Sequence, residues 1–492
     1  MSSLAAAMER QLSTVDENPT LTVRGTVGQP SISCLLNRDL HVLATLQATE
    51  NAEALGSRRP LELFLVIDKS GSMSGEKIHL VRQTLELLEK QLGSNDSVSL
   101  ITFDTEVHTS FPMRKLNSPD ARDKFIRCVK NIRPGTSTNL SGGLSEGICE
   151  LKKSTQRNVI RAVLLLTDGH ANHGITDMKA LARMTTTAVE GTGIKVFTYG
   201  YGKDHDANAL QALSDATDGG SFYFVEKIDT VGSALGDALG GLLSVCAQNI
   251  RLRAEVVPGT RIVKVQAPGR DYKEVVPGGI YELKFGDLYA GERRDVMFQI
   301  DVDPARAPRL DCPLIQFQVQ YVDAIQEKMS VCEAVATVSR VDDGMESTTL
   351  DPAVVDHICR MHVSENMLEA NKLADAHKYP EARKMIATAL KFCEDHMAIA
   401  KTKSLIQELV TDCKQALQAM SNRQQWTSSG GGHSMKSKMQ SHCYQRCNSS
   451  AVSTFSSYRT PSKQAAAMAM SPAQAMTPSR TRLPKPPKPG GY

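Results

Sequence analysis

The chain has 492 residues, 41% of them hydrophobic and 23% charged, with a formal net charge of +3; that length exceeds a single core and points to roughly three domains of about 150 residues each. A nearly balanced charge removes any whole-chain argument for nucleic acid or a membrane surface, and apolar runs such as Leu63–Ile67 and Ala162–Leu166 fall far short of the ~20 residues of a spanning helix. Met1–Leu12 holds no long apolar stretch and the eleven cysteines include no CxxC pair, so a cytoplasmic protein with reduced, mostly buried thiols is expected.

Residues 1–19 read as a disordered N-terminus. Residues 20–59 contain strand-like segments, Leu21–Val23 and Asp39–Leu46, expected to pair with a later β region. Residues 60–246 alternate short apolar runs with helical spacing. Leu61–Ile67, Val98–Phe103, Ile160–Thr167 and Ile194–Tyr201 are rich in Val, Ile and Leu and bounded by turn residues, which predicts buried parallel strands. Ile78, Val81, Leu85, Leu88 and Leu92 form one apolar helical stripe between the first two. Ser118-Pro119, Ser141 and Thr176 mark further helix starts. Strand following helix in this way predicts an α/β fold with a doubly wound, mostly parallel sheet.

Residues 247–341 change to period-two alternation, broken at Pro258-Gly259, Pro268-Gly269 and Pro277-Gly278-Gly279; an antiparallel β-sandwich follows. Residues 352–421 have helical spacing. Within them Ala374–Leu390 resembles one tetratricopeptide unit, but a lone unit cannot bury its own face, so helices packed on the sandwich are expected. Residues 422–492 carry ten Lys and Arg and no Asp or Glu, leaving −7 for residues 1–421. With its Ser, Gly, Pro and Ala content, that segment reads as a disordered basic tail.

The chemistry concentrates where strands end. Leu61–Ile67 runs into Asp68-Lys-Ser70-Gly-Ser72, and one carboxylate with two hydroxyls at alternate positions can turn three oxygens toward one point. Open α/β sheets bind ligands at this edge. Gly135-Thr-Ser-Thr138-Asn139 and Leu166-Thr167-Asp168-Gly169 bring more oxygens to it. An all-oxygen set suits a hard divalent ion, Mg²⁺ ahead of Ca²⁺ or Mn²⁺.

These segments resemble the von Willebrand factor type A (VWA) family and its metal-ion-dependent adhesion site. The resemblance assigns Asp68, Ser70, Ser72, Thr138 and Asp168 as metal ligands; Thr136 competes for the threonine role, but Gly143-Leu144 sets the register for Thr138. It implies a non-enzymatic interaction module or scaffold, whose ion keeps one position open for water or for an Asp or Glu carboxylate of a protein partner. It covers residues 60–246. The order of the flanking regions is similar to the plant wavy-growth RING ubiquitin ligases, although no Cys/His array matches a RING here. A substrate-recognition part of such a ligase, its RING supplied by another chain, is the alternative.

Asp68-Lys-Ser-Gly-Ser also resembles the D-K-T-G-T motif of aspartyl-phosphate phosphatases and ATPases, but no cap insertion or lysine-bearing strand falls where that family needs it. An EF-hand fails because its turn glycine would fall on Met73, and a P-loop fails because no lysine directly follows a glycine at Gly75. His170 and His173 read as exposed loop histidines and Lys69 as a rim charge pointing to solvent. In the tail, His442, Cys443 and Cys447 have weak zinc spacing. Thr460-Pro, Ser471-Pro and Thr477-Pro invite a proline-directed kinase, and Pro484-x-x-Pro487 suits an SH3-like groove. With few aromatics interleaved, no specific nucleic-acid binding is expected.

Overall fold

Alternating burial begins with β1 (Leu21–Val27), followed by β2 (Ser31–Ser33) and β3 (Arg38–Ala48). The computed structural model describes residues 19–50 and 59–469, apart from 157–158, 203–204, 218, 226–227, 269, 271, 429 and 447–456. Residues 1–18 of the disordered start expected over 1–19, and the motifs at Ser471, Thr477 and Pro484–Pro487, lie outside the described residues.

The chain then enters the α/β region with β4 (Leu61–Asp68), which is buried throughout. Next come α1 (Glu76–Gln91), β5 (Ser97–Phe103), β6 (Val107–Lys115), α2 (Pro119–Lys130) and α3 (Leu140–Lys153). β7 (Ile160–Thr167), α4 (Met178–Val189), β8 (Lys195–Tyr201), α5 (Ala207–Asp215), β9 (Ser221–Val225) and α6 (Ile228–Leu243) complete it. The strand order is β6-β5-β4-β7-β8-β9, parallel except for β6. Leu63, Leu65 and Ile67 of β4 face a core shared with α1, α2 and α6, while Phe64 and Val66 face one shared with α3 and α5. Helices on both faces explain why these strands read as unbroken apolar runs.

Local capping sets the helix starts. Ser118 Oγ accepts from Ala121 N–H at 3.2 Å, as its sequence suggests. Two starts differ from expectation: Asn139, not Ser141, caps α3 by accepting from Gly142 N–H at 3.0 Å, and Asp177, not Thr176, caps α4 by accepting from Ala180 N–H at 2.7 Å. The exposed edge strand β6 alternates weakly and gave no sequence signal.

Past α6 the chain rejoins the β region through β10 (Val245–Val256), β11 (Thr260–Gln266), β12 (Tyr272–Val276), β13 (Ile280–Tyr289), β14 (Arg293–Val302), β15 (Arg309–Asp323) and β16 (Lys328–Val341). One sheet has the order β1-β3-β14-β11 and the other β12-β13-β10-β15-β16-β2. β3 pairs with β14 from Arg38↔Val302 to Gln47↔Arg293, so the α/β region is an insertion between two strands of a sandwich. Leu40, Val42, Ala44, Phe298 and Phe317 lie in the core between the sheets. The helical part follows as α7 (Pro352–Asp375), α8 (Tyr379–His396) and α9 (Lys403–Ala419) around its own core.

The expectation of a disordered tail over 422–492 needs correction for the residues that the structure describes, up to 469; residues 470–492 lie outside them. α10 (Gly431–Tyr444) and α11 (Pro461–Ala469) are helices packed into the molecule, and Trp426 is buried. The physical reason is charge pairing that composition cannot display. Lys436 meets Asp375 at 2.9 Å, Arg446 meets Glu292 at 2.9 Å, and Lys463 meets Asp237 at 3.0 Å; Lys438 pairs with Asp412. The basic residues of this segment thus neutralise acids of the preceding chain. α11 lies so close to α6 that a Cβ on Gly236 would fall 2.5 Å from the Ala467 Cα and one on Gly240 2.7 Å from the Lys463 Cα.

Candidate functional site

Asp68 is the last residue of β4 and Asp168 directly follows β7, its parallel neighbour, where Ile67 pairs with Leu166. Both carboxylates therefore emerge side by side at the carboxyl edge of the sheet, and both are fully buried. Asp68 Oδ1 accepts from Ser70 N–H at 2.8 Å and Oδ2 from the Thr167 hydroxyl at 2.5 Å. The Ser70 and Ser72 hydroxyls lie 3.1 Å apart, Ser70 buried and Ser72 at the exposed rim.

The Gly135–Asn139 loop is stitched to both strand ends. Gly71 N–H donates to Thr136 O at 2.9 Å, joining it to the Ser70–Ser72 turn. Thr138 N–H donates to Asn172 Oδ1 at 2.7 Å, and Thr138 O accepts from Asn172 and His173 N–H, both at 3.2 Å. Thr138 is itself buried. The three segments singled out in the sequence are thus held around one spot.

The electrostatics of that spot are unbalanced. Burial pushes the Asp68 carboxyl up to about 6, working against its bonds from Thr167 and Ser70 and aided by the charge of Asp168. Asp168 Oδ2 takes an ion pair from Lys77 Nζ at 3.1 Å, whereas Asp168 Oδ1 is buried and accepts no hydrogen bond. An orphaned carboxylate oxygen in such a place calls for a donor or a cation. The set of two carboxylates and three hydroxyls fits a hard divalent ion. Among the described residues no three His, Cys, Asp or Glu side chains converge on a metal position, so any ion here relies on hydroxyl and water oxygens as well.

Sequence reasoning missed Lys77 and Asn172, whose roles depend on contacts across the sheet edge and carry no local signal, and it quoted Thr167 only as part of its strand end, without its bond to Asp68. It placed Lys69 in solvent, but its ammonium pairs with Asp104 at 2.6 Å and is 18% exposed. His170 and His173 are exposed beside the site. A zinc reading of His442 fails, because its Nε2 bonds Asp412 at 2.9 Å and its Nδ1 the Tyr458 hydroxyl at 3.0 Å. Cys447 lies outside the described residues.

Comparison with known proteins bears on the fold that carries these residues. The family described as "von Willebrand factor type A domain" matches residues 62–236, and "VWA / Hh protein intein-like" matches residues 400–470. The E3 ubiquitin-protein ligase WAV3 of Arabidopsis thaliana is 27% identical over 262 residues, 51% of this chain and 32% of its own length. The chain thus spans about a third of that relative. A solved structure titled von Willebrand factor type A from Catenulispora acidiphila superposes with a TM-score of 0.63 at 16% identity, covering 82% of this chain and 91% of that one. The ArnB paralog VWA2 from Sulfolobus acidocaldarius gives 0.54 at 16% identity, covering 86% and 98%. These two similarities concern the fold, and they extend well beyond the α/β region. Among the described residues no helix is long and apolar enough to cross a membrane.

Proposed function

Residues 62–236 form a von Willebrand factor type A domain, a protein-interaction module, and on that premise we propose that the chain captures a carboxylate-bearing protein partner through a divalent cation at the sheet edge. Mg²⁺ is the first choice, with Ca²⁺ or Mn²⁺ as substitutes. Asp68, Ser70, Ser72, Thr138 and Asp168 would hold it, some through water. The carrying observation is Asp168 Oδ1, buried beside a second buried carboxylate and without a hydrogen-bond donor. A bound cation would supply an electrophilic centre for an Asp or Glu of the partner. The chain's own part is orientation: Thr167 and Ser70 N–H fix the Asp68 carboxylate, and Asn172 fixes the loop carrying Thr138.

The test is affinity capture with the full chain in Mg²⁺ and in EDTA, comparing wild type with Asp68→Ala and Thr138→Ala. Partners held in Mg²⁺ should be lost in EDTA and with either variant. An unchanged set of captured proteins across all conditions defeats the reading.

A second reading is supported by the similarity to the WAV3 ligase over half of this chain: substrate recognition for a ubiquitin ligase whose RING sits on another chain. Co-purification with a RING or cullin protein, and loss of ubiquitin transfer when this chain is removed, would favour it. A phosphatase reading has less support, since both Asp68 oxygens already accept hydrogen bonds. Mg²⁺-dependent hydrolysis of a phosphate ester, abolished by Asp68→Asn, would revive it.

A further inference from the structure

Away from the sheet edge, a cavity of about 160 Å³ lies where the sandwich, α7, the start of α9 and the segment leading into α11 meet. Arg293, His357, Arg360, Arg459 and Thr460 contribute to its wall. Arg360 is 2% exposed; its guanidinium donates to His442 O and, at 3.0 Å, to the His357 ring, while its Nε is buried without a partner. His357 accepts from an arginine and is therefore neutral, in keeping with burial and the Arg360 charge, which push its pKa well below the ordinary value.

The wall itself carries three arginines, Arg293, Arg360 and Arg459, and three carboxylates, Glu292, Asp295 and Asp356, and two more guanidiniums stand behind it. Arg294 and Arg446 are both buried behind the wall and share one acid, Glu292. Burial pushes the Glu292 carboxyl up, but Arg294 and Arg446 outweigh it and hold it well below the usual range. The other carboxylates in the wall are engaged as well. Asp295 receives Arg293 Nε on both oxygens, at 3.0 and 2.9 Å, and the Thr45 hydroxyl at 2.6 Å. Asp356 receives Thr402 N–H at 2.9 Å. No carboxylate among the described residues forms an ion pair with Arg360. A buried guanidinium in that position is costly unless an anion meets it.

We propose that this cavity binds a free phosphate-class anion, with Arg360 supplying the charge that no carboxylate among the described residues meets, Arg293 (held by Asp295) and Arg459 (3.8 Å from Asp237) adding further guanidinium N–H donors, and Thr460 a hydroxyl. The volume admits a tetrahedral oxyanion with ordered water. The same chemistry could come from a phosphoryl group on Thr460, which precedes Pro461. Thr460 is only 3% exposed, however, and its Oγ1 accepts from Lys463 N–H at 3.3 Å at the start of α11. A kinase would reach it only with the segment detached, which favours the free anion. Because the wall joins α7 to residues 458–460, the anion would fasten the C-terminal segment to the sandwich.

The full chain titrated with inorganic phosphate, against chloride at equal ionic strength, should show one-to-one binding by calorimetry and a raised unfolding midpoint. Arg360→Gln should weaken binding by about tenfold or more. Arg360 also braces α7, so Arg293→Gln, at a side chain 40% exposed, provides a folding-tolerant variant with an expected loss of about three- to tenfold. Intact-mass analysis of the purified chain reports any phosphate on Thr460. Absence of phosphate-specific heat, unchanged affinity in the folded variants, or stoichiometric phosphothreonine at 460 would each overturn the free-anion assignment.

Discussion

Asp68→Asn separates what the site costs from what it does. In the metal-free folded chain the carboxyl titrates near 6, against 3.8 for its ordinary value, a gap of about 2 units or about 3 kcal/mol. Below about pH 4 both folded and unfolded chains hold the proton and the cost is absent. Between about pH 4 and 6 the folded chain retains a proton that the unfolded chain has released, so stability falls as pH rises, and above about 6 the full penalty stands. Asparagine carries no charge, still accepts from Ser70 N–H, and can donate to a Thr167 hydroxyl that turns to receive it. In EDTA at pH 7.5 the variant should therefore unfold about 5 °C above wild type, and the gap should close toward pH 4. Added Mg²⁺ should raise the wild-type midpoint and leave the variant unmoved. Differential scanning calorimetry across pH 4–8, with and without Mg²⁺, measures all of this. A variant less stable than wild type in EDTA at neutral pH, or one stabilised equally by Mg²⁺, would refute the reasoning.

Lys77→Met removes the ammonium now paired with Asp168 Oδ2; since an entering cation would no longer compete with it, Mg²⁺ affinity by calorimetry should rise about three- to tenfold, and a fall would contradict the geometry. Lys463→Met leaves Asp237 buried without its closest cation, Lys463 Nζ at 3.0 Å, and should cost about 3–5 kcal/mol in urea unfolding. Adding Asp237→Asn should recover much of that loss, because the stranded charge is then gone.

Where burial dictates the pattern, the sequence could be read directly. Leu61–Ile67 and Ile160–Thr167 are covered on both faces and have no choice but to be apolar, so their order and the oxygens at their ends were legible. The C-terminal segment was not. Its fate depends on Lys463 meeting Asp237 from 226 positions away and Arg446 meeting Glu292 from 154 away, and a count of like charges within one segment cannot see either. β6 was missed for the opposite reason: an edge strand facing water need not alternate cleanly. At the site, the motif displayed its five oxygens but not Lys77, which reaches Asp168 from the first turn of α1.

The insertion also fixes which way the site faces. The chain enters the α/β domain ahead of Leu61 and leaves it after Leu243, and Arg59 on the entering side bonds Gln248 on the returning side at 2.9 Å. Both crossings meet the sandwich, and β4 carries the chain from there to Asp68 at its far end. The oxygen cluster therefore lies at the edge away from the sandwich, with Ser72 exposed and Asp68, Ser70, Thr138 and Asp168 buried. The C-terminal segment acts on the same domain from the flank, through Lys463 on α6 and through Gln440, whose amide donates to Asp215 at 2.5 Å. With Arg446 and Gln445 bonded to Glu292 and Asp295 of the sandwich side, this segment couples the orientation of the inserted domain to the body that carries it. Buried ion pairs contribute little net stability but penalise misplaced packing, and that is the property needed to hold one orientation in preference to others.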